Sequence, residues 1–204
     1  MAGFFVAGIR LARTMPATHD RLMRPLALFP ALIGTADWPC LAPAVQRMHD
    51  DTPLLHARGI AKVEGANHWP ARMLRRLLGL PEPGDDQPLA LTIERDGPRE
   101  IWTRHFEHGR MRSTLERTAD GASLREQLGP IALYFTLHRD GEAIDWQLRQ
   151  GRFLGLPVPR ALLGQVLSRS TAEQGRYVFH IDTRLPLLGQ LIAYRGWLEI
   201  TDER

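Results

Sequence analysis

The chain has 204 residues, 44% hydrophobic and 24% charged, which bounds it to one globular domain, or one domain with an extension, large enough to bury a real core. Its net charge is only +3, and its cations, nearly all arginine with Lys62 the only lysine, are scattered among acids, which argues against a nucleic-acid groove. The apolar runs 1–9, followed by Arg10 and Arg13, and 26–33, broken by Pro30, fall short of the roughly 20 residues that span a bilayer, so a cytoplasmic protein without a transmembrane segment is expected.

Residues 1–40 read as an N-terminal extension, cut into short pieces by prolines at 16, 25, 30 and 39. Its apolar start has an alternative reading as an interfacial amphipathic helix. Cys40 is the only cysteine, so no intramolecular disulfide can form. Residues 41–204 are expected to make a single β-rich domain. A helix is predicted over 43–49, where Leu41, Val45 and Met48 share a face, and a strand containing Gly59 over 56–64. Asn67 or His68 then caps a second helix with Pro70 in its first turn. Met73, Leu74, Leu77 and Leu78 form its apolar stripe, Arg72, Arg75 and Arg76 its wet side, and Gly79 and Pro81 stop it.

From about residue 88 to 200 the pattern is strand and turn. Asp96-Gly97, His108-Gly109, Asp140-Gly141 and Gln174-Gly175 each separate two alternating runs, as expected of hairpin loops in which glycine supplies positive φ. The first two predict Leu89 opposite Arg104, Leu91 opposite Trp102, Arg104 opposite Ser113 and Trp102 opposite Leu115, and both put the same face of the shared strand in the core. The third predicts Phe135 opposite Trp146 and Leu137 opposite Ile144. The fourth predicts Ser170 opposite Phe179, with His180 opposite Arg169 and Asp182 opposite Leu167 on the reverse. Such a chain is mainly β (α+β): a long antiparallel meander forming a strongly curved sheet or incomplete barrel. Two or three helices cover it, and the strand at 56–64 is placed to pair with the last one.

Within this frame Arg104 is the anomaly. Trp102, Arg104 and Phe106 alternate on a face that is otherwise apolar apart from Ser113, and a charge there costs several kcal/mol unless it is paired or hydrogen-bonded. Arg104 is therefore either a structural clamp or the anchor of a ligand site.

Glu100-x-Trp102-x-Arg104-x-Phe106, Met111-x-Ser113, Gly155-Leu156-Pro157-Val158-Pro159, Leu185-Pro186-Leu187-Leu188-Gly189 and Tyr194-x-Gly196, in that order, resemble the bacterial family known as domain of unknown function 4166, over about residues 41–200. Members of that family occur alone or appended to dehydrogenase domains of the short-chain or saccharopine type, and the resemblance implies no activity. This chain has no Gly-x-Gly-x-x-Gly unit, so no cofactor is expected, and a dehydrogenase or reductase partner would be a separate chain.

The candidate ligand-binding residues are Arg104, Ser113, Trp102, Phe106 and Tyr194. Tyr134, His180 and Asp182 are the catalytic candidates, an imidazole beside a carboxylate and a phenol being a workable acid–base set. The eight histidines show no spacing with three convergent ligands, so no metal site is expected. No Gly-x-Ser-x-Gly elbow is present. The two Gly-Leu-Pro-x-Pro segments, at 79–83 and 155–159, and the related 185–189 are stiff apolar loops, either crossing one end of the sheet or forming a hydrophobic rim around a cavity mouth. The leading expectation is a binding module for an amphipathic organic anion, fatty-acid-like or acyl-derived, in an apolar cavity anchored by Arg104. The alternatives are an acid–base enzyme of isomerase, cyclase or hydratase type in the same cavity, and a non-catalytic accessory to a dehydrogenase.

Overall fold

The computed structural model describes residues 27–201, so the apolar run 1–9 and most of the expected extension lie outside the described residues. The strands are β1 (Leu54–Glu64), β2 (Gly84–Asp96), β3 (Arg99–Phe106), β4 (Gly109–Arg117), β5 (Leu124–Leu128), β6 (Ile131–Asp140), β7 (Ala143–Phe153), the two-residue β8 (Leu156–Pro157), β9 (Gln165–Glu173), β10 (Arg176–Leu185) and β11 (Gly189–Ile200). Four short helices accompany them: α1 (Leu28–Ile33), α2 (Pro43–Met48), α3 (Trp69–Leu78) and α4 (Arg160–Leu163).

From β1 to β7 and from β9 to β11 each strand pairs antiparallel with the next, β7 pairs with β9, and β1 pairs with β11, so ten strands close into a barrel and β8 forms a side ribbon on β7. The sheet thus goes one step past the incomplete barrel expected, and closure leaves no open edge. The seam between β1 and β11 uses glycine twice. A Cβ on Gly59 would lie 1.9 Å from the Trp197 carbonyl oxygen, and one on Gly196 would lie 1.9 Å from that of Ile60. Only residues without side chains permit that approach.

The predicted faces hold, but three of the four pairing registers shift by two residues. Gly97-Pro98 and Gly141-Glu142 are the loop residues, which pairs Leu91 with Arg104 and Leu137 with Trp146. Gly97 (φ 57°) and Gly141 (φ 60°) occupy the first loop position and are followed by a residue of negative φ, the sign pattern of a II′ turn. The second hairpin moves the other way, to Glu107-His108, pairing Arg104 with Met111 and Trp102 with Ser113. Of the four, only Gln174-Gly175, with φ of 52° and 79°, takes the two positive values of a I′ turn, and its predicted pairs stand. A shift of two leaves every side chain on its original face.

One end of the barrel is plugged. Phe29 and Val45 are fully buried there with Met48 and His49. Phe29 lies 4.0 Å from the His49 ring and 5.6 Å from that of Trp146, centroid to centroid. Arg95 ties this plug down, donating to the carbonyl oxygens of Met48 (2.6 Å) and Thr52 (2.8 Å) and to Glu100 (3.2 Å). Residues 28–33 of the expected extension therefore pack into the barrel core.

The other end carries α3, α4 and the β10–β11 turn. The orientation predicted for α3 is half met: Leu74 and Leu78 turn inward and Arg72 and Arg76 outward as expected, but Arg75 is buried, while Met73 and Leu77 are exposed with Trp69. Arg75 Nη1 donates to the carbonyl oxygens of Ala66 (2.7 Å) and Leu191 (3.2 Å), its buried Nη2 lies 3.8 Å from Glu82, and its stem packs. His68 caps α3, its Nδ1 accepting from the Ala71 amide, and Gly79 (φ 64°) ends it.

Candidate functional site

The barrel interior holds a cavity of about 180 Å³. Its walls are mostly apolar, because the inward-facing residues of nearly every strand are Leu, Ile, Phe or Trp. Lining residues near the plug, such as Trp102, Trp146 and Leu198, are buried, while Leu74, Leu163 and Leu185 at the opposite end are half-buried, so the mouth lies at the α3 end.

Arg104 points into this cavity and is only 8% exposed. Its Nη1 donates to Ser113 Oγ at 3.1 Å, its guanidinium lies 4.8 Å from the centroid of the Trp102 ring, and its Nη2 is 4.0 Å from Glu126 Oε1. The hydroxyl and the ring face compensate part of the cost of burying the charge. The carboxylate sits at the outer limit of an ion pair.

Trp102 is fixed from behind. Its indole Nε1 donates to Glu100 Oε2 at 2.7 Å, and Glu100 also accepts from Arg95. Burial pushes the Glu100 carboxyl up, against the opposing pull of the Arg95 guanidinium and of the two hydrogen bonds. The plug and the ring that Arg104 rests on are therefore one connected assembly.

Other polar groups converge on the same space. Tyr177 hydrogen-bonds Ser170 at 2.8 Å and His49 Nε2 at 3.3 Å, and burial raises its hydroxyl to about 12, so it stays protonated. Burial also raises Tyr194, which lines the cavity and meets Phe106 edge-on at 5.9 Å. Trp146 contributes a buried indole N–H that has no acceptor among the described residues. His49 is held neutral, burial and then the nearby Arg95 charge lowering it well below the usual range.

Arg104, Trp102 and Tyr194 thus line the cavity, while Ser113 and Phe106 stand just behind as supports, one holding the guanidinium and the other packing on Tyr194. Tyr134, His180 and Asp182 are elsewhere. On β10 the residues Tyr177, Phe179, Ile181 and Thr183 line the interior, so His180 and Asp182, at alternate positions, face outward. Asp182 accepts from Arg184 and Gln190 there, and the Arg152 guanidinium covers Tyr134 on the outside of β6. An acid–base set made of these three does not share the cavity with Arg104.

Glu126, Ser170 and Tyr177 were not singled out from sequence. Glu126 had a usable signal: Leu124-x-Glu126-x-Leu128 places an acid between two inward leucines, as Trp102-x-Arg104-x-Phe106 places a base. The three loops with repeated Gly, Leu and Pro all lie at the mouth end, and Leu80 and Leu185 from them line the cavity.

No curated protein matches the chain. The pattern that carried the resemblance, from Glu100 through Arg104 and Ser113 to Tyr194 and Gly196, is what builds the cavity wall, its buried cation and the barrel seam. The family model described as Domain of unknown function (DUF4166) matches residues 41–198, and the chain belongs to that family.

Proposed function

We propose that this barrel is a binding module for an amphipathic organic anion, a fatty-acid-like or acyl-derived molecule, with its head group on Arg104 and its apolar part against the cavity walls. The observation that carries the reading is a guanidinium 8% exposed at the wall of a cavity of about 180 Å³, with its nearest carboxylate 4.0 Å away. Of its five N–H donors, one goes to Ser113. A guest carboxylate takes two more in the bidentate geometry that arginine favours. The protonated hydroxyl of Tyr194 is a further donor on the same cavity.

Size narrows the guest. A cavity of about 180 Å³ is smaller than the roughly 300–1,000 Å³ of drug-sized sites, and a dry void of roughly 150 Å³ holds a benzene. A small ring or short chain fits inside, and a longer acyl chain projects through the mouth. Glu126 is the exchangeable counter-ion, and its negative charge opposes an incoming carboxylate.

Calorimetric titration with decanoate tests this. Wild type binds saturably, Arg104→Met weakens binding by roughly tenfold to a hundredfold, the worth of a charged hydrogen bond, and Glu126→Gln strengthens it. Equal affinity in wild type and Arg104→Met contradicts the proposal. So does a folded Glu126→Gln protein that binds no anion. If Arg104→Met fails to fold and Glu126→Gln binds nothing, the arginine is a structural clamp.

A further inference from the structure

The described residues expose eleven large apolar side chains, and eight of them lie at the mouth end of the barrel. Trp69, Met73 and Leu77 form one stripe along the outer face of α3, four residues apart and 59–66% exposed. Phe153, Leu154, Leu156 and Leu162 stand out from the β7–β9 connection, and Leu187, 97% exposed, tips the β10–β11 turn. His68 joins two of these segments, its Nε2 lying 3.0 Å from the Leu188 carbonyl oxygen.

Folding does not account for these positions. The α3 stripe faces away from the core because Arg75 occupies the inner face. Leu154 (φ 51°) and Leu187 (φ 69°) are held in left-handed backbone conformations that disfavour a bulky side chain. Glycine or asparagine is the ordinary occupant of such a turn, yet here a leucine is projected into solvent at a steric cost.

The three segments that carry these tips are one-sided in charge, although Asp85, Asp86 and Glu107 are exposed elsewhere on the same end. Residues 69–80, 152–163 and 184–191 contain no Asp or Glu, while Arg72, Arg76, Arg152, Arg160 and Arg184 in them are exposed. Two of the five have acidic neighbours from outside these segments: Glu82 at 3.7 Å from Arg76, and Asp182 at 3.1 Å from Arg184. The chain as a whole carries only +3, so the fold gathers arginine here. Apolar tips set among arginines match a bilayer surface, where hydrocarbon takes the tips and anionic head groups take the arginines.

We propose that the mouth end of the barrel docks on a membrane surface rich in anionic lipid, with Trp69, Met73, Leu77, Leu154 and Leu187 inserting at the head-group boundary. The mouth then opens toward the bilayer, and an amphipathic guest passes between cavity and membrane without crossing water. Docking stands on the rim alone and does not require the reading of Arg104.

Sedimentation of the full chain with vesicles of phosphatidylethanolamine containing about one-third phosphatidylglycerol tests this directly. Wild type is expected to bind these vesicles, to bind pure phosphatidylcholine vesicles poorly, and to lose most of its binding at about 0.5 M salt, where charges are screened within a few ångström. Trp69→Ser/Met73→Ser/Leu77→Ser should cost at least roughly tenfold in binding, as expected for withdrawing several apolar side chains from lipid. Its decanoate titration should stay unchanged, which separates failure of docking from failure of the cavity reading. Leu187→Gly should weaken binding while keeping or raising the melting temperature, because glycine accepts positive φ freely. Full vesicle binding by the triple variant overturns the proposal, as does absence of binding by wild type. A wild-type dimer that the triple variant converts to monomer, with no vesicle binding by either, assigns the rim to a second copy of the chain and also overturns it.

Discussion

A guanidinium in an apolar barrel needs a reason to be there, and its neighbours supply only part of one. Ser113 is neutral, the Trp102 face is a weak partner, and Glu126 at 4.0 Å is too far for a direct hydrogen bond. Arg95 is the instructive contrast: its side chain is buried and its donors reach two main-chain carbonyls and Glu100, as a structural clamp does. His49 shows a third arrangement, a buried base kept neutral. Because its folded value is depressed, protonation favours the unfolded chain. Stability is full above about pH 6.5, the unfolded value, and falls below it as unfolded chains take up a proton the folded ones refuse, at up to about 1.4 kcal/mol per pH unit. Glu100, raised by burial, works in the opposite sense at lower pH. Urea unfolding between pH 7.5 and 5.5 should therefore show a steep loss in wild type and a flatter profile in His49→Phe. A slope unchanged by that substitution would assign the loss to other groups.

At the scale of strands and helices, legibility followed the physics of each signal. Side-chain alternation has a period of two, so the inward face of β2, β3, β4, β9 and β10 could be read from sequence even where the pairing was off by two residues. The loops could not be placed as well, because Asp96-Gly97 and Gly97-Pro98 both contain the glycine a tight turn needs. Of the four loops, only Gln174-Gly175 lies where it was placed, and both of its residues take positive φ. The stripe of α3 was half legible: Leu74 and Leu78 face the barrel, but Met73 and Leu77 do not, because apolar periodicity does not say whether the protein itself covers every residue of the stripe. The paired glycines at the seam are visible in sequence, but their role depends on a contact between positions 59 and 196. Gly196→Ala places a methyl group into the Ile60 carbonyl and should destabilise the barrel by roughly 1–3 kcal/mol, the usual cost of overpacking, read as a lower urea midpoint. An unchanged midpoint would mean that the seam opens to accept the methyl group.

For the molecule as a whole, the two ends divide the work. Residues 27–53 and the Arg95–Glu100–Trp102 assembly seal one end and fix the floor of the cavity. The other end keeps the mouth, the exposed leucines and the arginine collar. No helix among the described residues is long and apolar enough to cross a membrane. In the proposed function Arg104 receives an anion inside the barrel. The guanidinium proton resonances of Arg104, assigned by their disappearance in Arg104→Met, test it most directly. The account predicts signals protected from solvent exchange that shift saturably as decanoate is added. Signals that stay unmoved at saturating decanoate, or that exchange with water as fast as those of exposed arginines, would contradict it.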